Sequence, residues 1–226
     1  MLTREMTQIL EEAKPAGWVM EPEAKRLFRL AGLDVPRFAW TKDLEEADAF
    51  VQKTGYPVVA KIVSPAIVHK SDAGGVIAGI KDKDGLARAF RKLSALKEYD
   101  GVLVEEALGG IEVIVGAKVD FQFGAVVLVG MGGTSTEIYK DTAVRMAPLS
   151  ESDVGCMIGS LKARPLLEGF RGSTPINMEA LTSLLIKFST LVADMEGLID
   201  SIDLNPVFCS VDRCVIADAR IMLAGT

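Results

Sequence analysis

"LIDSIDLNPVFCSVDRCVIADARIML", Leu198–Leu223, is the stretch whose reading decides the fold. Apolar and polar residues alternate with period two, so Ile202 and Leu204 enter a core while Asp203 and Asn205 point from the opposite face of the same strand. Ser210 and Arg213 can close a turn between two such runs, which makes the segment a hairpin and sets Asn205 opposite Asp218. Cys209 and Cys214 then flank the turn and can face each other across it; a cross-strand disulfide stays open beside two reduced thiols.

The same antiparallel logic extends upstream. "GVLVEEAL" (101–108), "GIEVIVGAKVD" (110–120) and "GAVVLVGMGG" (124–133) are strands adjacent in sequence and joined by tight turns. In the second of these, Ile111, Val113, Val115, Ala117 and Val119 form the core face. "NMEALTSLLIKFSTLVADM" (177–195) is a long helix with Met178, Leu181, Leu185, Phe188 and Val192 inward. Earlier, residues 21–33 and 43–55 read as amphipathic helices stopped by Gly32 and Gly55, the second opened by an Asp43 and Glu46 capping box. "YPVVAKIVS" (56–64) and "GVIAGI" (75–80) read as strands, and residues 84–96 as a helix carrying Leu86, Ala89, Phe90 and Leu93. The expected organisation is an α+β chain with an N-terminal arm over 1–20, one α+β subdomain over 21–100 and a second over 101–226.

Composition narrows the function. Of 226 residues, 49% are hydrophobic and 25% charged, enough for a core without staples, and the net charge of −6 with no Lys/Arg cluster argues against nucleic acid. No apolar stretch is long enough to span a bilayer, and the charged start is unlike a signal peptide, so a cytoplasmic location is expected. Three cysteines without a CxxC pair and a single histidine make a zinc site improbable.

Several residues invite chemistry. Lys61 lies mid-strand on a face with Val59 and Val63, where a bare ammonium would be costly. It needs an anion, either a buried carboxylate or a bound phosphate. Asp203, Asn205 and Asp218 cluster hard oxygen atoms, which suits polar pairing within a hairpin or a magnesium ion that completes its shell with phosphate and water. The histidine, His69, sits in "SPAIVHKSDAGGV" (64–76), a loop closed by Gly74 and Gly75. On residue type alone it is a solvated loop side chain or a nucleophile. Gly130, Gly132 and Gly133 match neither GxGxxG nor the Walker signature.

Taken in order, a strand lysine, "VHKSDAGGV", "VEEAL", a following Glu112, "GGTSTEIYKDTAVRMAPL" and "DLNP" with a downstream Asp resemble the ATP-grasp fold, over about residues 15–223. The fit is closer still to the nucleotide-binding beta subunit of two-subunit ADP-forming acyl-CoA synthetases, relatives of succinyl-CoA synthetase. That resemblance implies two α+β subdomains with the nucleotide between their sheets. It also implies Lys61 on the phosphates of ATP or ADP, Gly74 and Gly75 in the mobile loop, Glu105 and Leu108 lining the adenine pocket, and Glu112 at the ribose. Asn205 and Asp218 would hold Mg2+. His69 would be the phosphate carrier, and Asp203, where the wider family often has Glu, would orient its ring. Lys140 and Arg145 fall in a family-like segment and are expected at the surface.

The chain carries no CoA-type Rossmann motif. The resemblance therefore implies a CoA-binding alpha subunit as partner, in an α2β2 heterotetramer, and the reaction acyl-CoA + ADP + Pi = carboxylic acid + ATP + CoA. Two rivals remain: an ATP-grasp carboxylate ligase with no histidine carrier, and a non-catalytic nucleotide-sensing module of an acyltransferase complex.

Overall fold

The computed structural model describes residues 1–133 and 141–225. Residues 134–140, and with them the expectation for Lys140, lie outside the described residues. The chain runs α1 (Arg4–Ala13), β1 (Trp18–Val19), α2 (Glu21–Leu30), β2 (Phe38–Thr41), α3 (Leu44–Thr54), β3 (Val58–Val63), β4 (Val76–Ile80), α4 (Lys83–Leu93) and β5 (Gly101–Glu106). It continues through β6 (Ile111–Asp120), β7 (Gly124–Met131), β8 (Thr142–Met146), α5 (Glu151–Ser160), α6 (Arg164–Leu167), α7 (Met178–Asp194), β9 (Ile199–Cys209), β10 (Cys214–Ile216) and β11 (Arg220–Leu223).

These elements make two compact units, Pro36–Leu108 and a larger one of Met1–Val35 with Gly109–Thr226. The division corrects the expected boundary at Asp100 and Gly101. β5 pairs with both β2 and β3, so the smaller unit keeps it and ends at Leu108. The expected arm over 1–20 is not an arm either. α1 buries Met6, Ile9 and Leu10, and Trp18 and Val19 pair with Met222 and Ile221 of β11. α2 follows them into the larger unit, burying Ala24, Leu27 and Phe28 as its periodicity predicts.

The smaller unit is an antiparallel sheet in the order β2-β5-β3-β4. Ala60 and Ile62 of β3 with Val102 and Val104 of β5 meet Ala47 and Val51 of α3 and Leu86 and Leu93 of α4 in one buried cluster. Each Val, Leu or Ile side chain among them contributes about 1.5–3 kcal/mol when fully buried. Asp43 caps α3 by accepting from the Glu45 and Glu46 backbone N–H groups, but the expected capping box is incomplete. The Glu46 carboxylate accepts instead from the Thr41 hydroxyl at 2.5 Å. α4 starts earlier than the sequence suggests, because Asp82 takes the cap position through Gly85 N–H at 2.7 Å.

The larger unit's described sheet runs β1-β11-β9-β6-β7-β8, with β10 also on β9, antiparallel throughout. Along β9 Ile202, Leu204 and Val207 are buried, and Asp203 and Asn205 are exposed, as alternation requires. α7 buries Leu181, Leu185, Phe188 and Val192.

Candidate functional site

Lys61 is 5% and Glu105 3% exposed, and Lys61 Nζ lies 2.7 Å from Glu105 Oε1. Register explains the meeting. Lys61 stands opposite Leu103 and Val59 opposite Glu105, so the pair is the diagonal contact on one face of β3 and β5. The anion that Lys61 needs is thus supplied by the chain. Arg37, which the sequence reading passed over, grips Glu106 one residue on. Its backbone N–H donates to Oε1 at 3.1 Å and its Nε to Oε2 at 2.9 Å. Leu108, half-buried, closes the unit.

His69 is exposed on the turns joining β3 to β4. The loop is anchored at both ends. Ser64, buried, donates its hydroxyl to the Lys97 carbonyl at 2.9 Å, and Gly75 N–H donates to the Lys70 carbonyl at 2.7 Å. Gly74 has φ +65°, and a Cβ on Gly75 would lie 2.4 Å from Ile62 Cγ2. Both glycines therefore have a local reason to be there: one turns the chain left-handed, the other lets the returning loop lie against β3.

In the larger unit Ser210 N–H donates to the Arg213 carbonyl at 2.9 Å, the turn that alternation predicts. The pairs Val207–Ile216 and Asp203–Arg220 bracket Asn205 and Asp218, which stand opposite each other where the ladder breaks between β10 and β11. At the break the Pro206 carbonyl accepts from Ala217 N–H at 3.0 Å, and Asp218 Oδ1 accepts from Ala219 N–H at 2.8 Å. Among the described residues no group of three or more His, Cys, Asp or Glu could hold a metal. A two-oxygen set of amide and carboxylate fits a hard cation that draws its remaining ligands from phosphate and water, and fits zinc poorly. Asp203 is paired with Arg220 Nη2 at 3.3 Å and half exposed.

Glu112 is half-buried on β6, and its carbonyl accepts from Gly132 N–H at 2.7 Å. A Cβ on Gly132 would fall 2.8 Å from Glu112 Cβ, so this glycine permits the close passage beside β6. Arg145 is exposed on β8, as expected. The structure brings together Lys61 with Glu105, and Asn205 with Asp218. His69 and Asp203 belong to different units.

Two antiparallel α+β units within one chain are the architecture of the ATP-grasp class. Residues 10–223 match the ATP-grasp domain, and the chain belongs to that family. Within it the chain falls with the beta subunits of ADP-forming acid–CoA ligases. It is 42% identical to the beta subunit of acetate–CoA ligase (ADP-forming) I of Pyrococcus furiosus, with 96% of this chain and 97% of that one covered. An acetyl-coenzyme A synthetase of Ca. Korarchaeum cryptofilum, solved with coenzyme A, Ca-AMPCP and HgCl+, superposes with a TM-score of 0.89 at 38% identity, covering 96% of this chain and 98% of that chain. The same protein with Mg-AMPPCP, its phosphohistidine segment pointing towards the nucleotide binding site, gives 0.85 at 37% identity, covering 96% and 99%. No helix among the described residues is long and apolar enough to cross a membrane.

Proposed function

We propose that this chain is the nucleotide-binding subunit of an ADP-forming acyl-CoA synthetase that passes phosphate through His69 to ADP. The observation that carries the reading is the single histidine of the chain, exposed on a loop anchored at Ser64 and Gly75, next to the strand bearing Lys61. Neutral imidazole is a nucleophile near pH 7, and its phosphoramidate transfers readily. In the ATP-forming direction His69 takes a phosphoryl group from the partner subunit, forming a nitrogen–phosphorus bond, and that bond breaks as the terminal oxygen of ADP attacks. Such a transfer asks of the protein mainly positioning and charge neutralisation.

Lys61, buried against Glu105, is the cation assigned to the nucleotide phosphates. Glu105 and Leu108 line the base, Glu112 meets the ribose, Gly74 and Gly75 shape the carrier loop, and Asp203 orients the imidazole. Asn205 and Asp218 are the residues that would hold Mg2+, which when bound offsets phosphate charge. A CoA-binding alpha subunit completes the enzyme as an α2β2 heterotetramer in the cytoplasm.

Incubation with magnesium and ATP is expected to leave a phosphate on His69, stable to base and lost in acid, found by mass spectrometry of the peptide. His69→Ala is expected to keep ADP binding while abolishing the label and net turnover with the partner. Phosphate found elsewhere, with turnover intact in His69→Ala, would overturn the carrier and favour a carboxylate ligase. Tight nucleotide binding without ATP synthesis by the reconstituted pair would favour a sensing module.

A further inference from the structure

The tip of the β9–β10 hairpin holds two cysteines for which phosphate transfer has no use. Cys209 and Cys214 are direct partners in the ladder, 0% and 4% exposed, and both are free thiols. Ser210 and Arg213 form the hydrogen-bonded pair that closes the turn. Bonded and non-bonded pairs alternate along an antiparallel ladder, so Cys209 and Cys214 occupy the next, non-bonded position. There the Cα atoms are about 4.5 Å apart and the side chains lean together. That separation lies within the range of about 4.4–6.8 Å that a disulfide spans.

Asn205 lies four residues before Cys209 and Asp218 four residues after Cys214, so the two sulfurs sit across the same hairpin that presents the two oxygen ligands. The tip also supports α7: Asn177 N–H donates to the Ser210 carbonyl at 2.7 Å, and Asn177 Nδ2 to the Asp212 carbonyl at 3.2 Å.

We propose that Cys209 and Cys214 form a reversible disulfide that staples this hairpin when the protein meets a peroxide. Cys214 borders a surface groove of about 220 Å³ lined also by Gly32, Asp34, Lys187 and Arg213, which gives a small oxidant a route to it. Cys209 has no exposure, and its hydrogen bond with Cys214 together with burial holds it as the thiol. Oxidation therefore begins at Cys214: its sulfur attacks the peroxide, the O–O bond breaks, and a sulfenic acid and water result for hydrogen peroxide. Cys209 then displaces the hydroxyl, the S–S bond forms, and a second water leaves. The two thiols supply the two electrons that reduce the peroxide, and a dithiol reductant reverses the change. The inference does not depend on the phosphate carrier.

The test uses the full chain with Cys156→Ser, which removes the exposed thiol on α5. After hydrogen peroxide treatment, thiol counting in denaturant and non-reducing peptide mapping are expected to show both remaining thiols lost and one Cys209–Cys214 cross-link. The melting temperature is expected to rise by about 5 °C, from the loop closed by the bond, and to return on reduction. Adding Cys214→Ala, or separately Cys209→Val, is expected to abolish the shift. Two free thiols after peroxide, sulfinic acid in place of the cross-link, or a cross-link that leaves the melting temperature unchanged or lowered, would overturn the proposal. His69 labelling is measured on the same samples, so a failure of the carrier is read separately from a failure of the staple.

Discussion

Lys61 and Glu105 set a question that only single side chains can answer. Removing one member of a buried ion pair strands the other charge and costs about 3–5 kcal/mol, whereas replacing both with apolar residues is often neutral. Lys61→Met is therefore expected to destabilise the protein by about 3–5 kcal/mol in urea unfolding, and Lys61→Met with Glu105→Leu to recover most of that loss. If the pair also serves the nucleotide, Lys61 at the phosphates and Glu105 at the base, the stable double variant still loses ATP affinity, measured by titration calorimetry. A single variant as stable as the parent would show that the pair is not the buried contact described. The need for an anion at Lys61 was legible in the β-branched alternation of its strand. Its partner was not, because Glu105 comes from β5, and no local pattern encodes the register of two strands separated by a loop, a strand and a helix. Arg37 was missed for the same reason: its clamp on Glu106 exists only once β2 and β5 pair.

At the scale of elements, the helix ends carry the readable energetics. Asn177 caps α7 by accepting from Ala180 N–H at 2.9 Å while its amide nitrogen ties the hairpin tip. Asn177→Ala is expected to cost about 1–2 kcal/mol, read in a urea melt, because one residue serves two elements. Acid should act on other elements. The Ser150 hydroxyl, donating to Asp153 in the α5 capping box, holds that carboxyl below the usual aspartate range; Lys83 of α4 does the same to Asp48 of α3 through a 2.7 Å ion pair. A carboxyl whose folded pKa is depressed contributes fully above its unfolded value, and that contribution fades as pH falls through the lower folded value. The urea midpoint should accordingly drop below about pH 4, and Asp153→Asn with Asp48→Asn should flatten that drop while lowering stability at neutral pH. Long periodic elements such as α7 and β6 were legible in the sequence. β8 was not, since of its five residues only Ala143 is buried and no alternation marks so short an edge strand. α1 escaped because its apolar positions, Met6, Ile9 and Leu10, are interleaved with charge, which leaves residues 1–20 reading as an N-terminal arm.

On the scale of the whole chain, the smaller unit is an insertion between Val35 and Gly109, and the sequence hid this because an insertion leaves no compositional seam at its first boundary. A linear cut near Gly101 looked natural, since a new strand starts there; only pairing shows that the strand returns to the sheet already begun by β2. The insertion leaves and returns at neighbouring points. Glu106 N–H donates to the Arg37 carbonyl at 3.1 Å, and the ion pair between the same residues closes at 2.8 Å. Paired strands lie about 4.8 Å apart, a gap one or two residues span. Joining Val35 to Gly109 through a short glycine-serine linker is therefore expected to leave a chain that folds, because α7 and the long sheet strands bury their own faces, Leu185, Phe188 and Val192 on one side and Val115, Val127 and Ile202 on the other. Circular dichroism with a single cooperative urea transition is the expected signature. The same chain, lacking Lys61 and His69, is expected to take no acid-labile phosphate from ATP while keeping Asn205 and Asp218 in their hairpin. An aggregated product without a transition would show that the larger unit depends on the insertion for its core, and the division into two units would then describe contacts without describing folding.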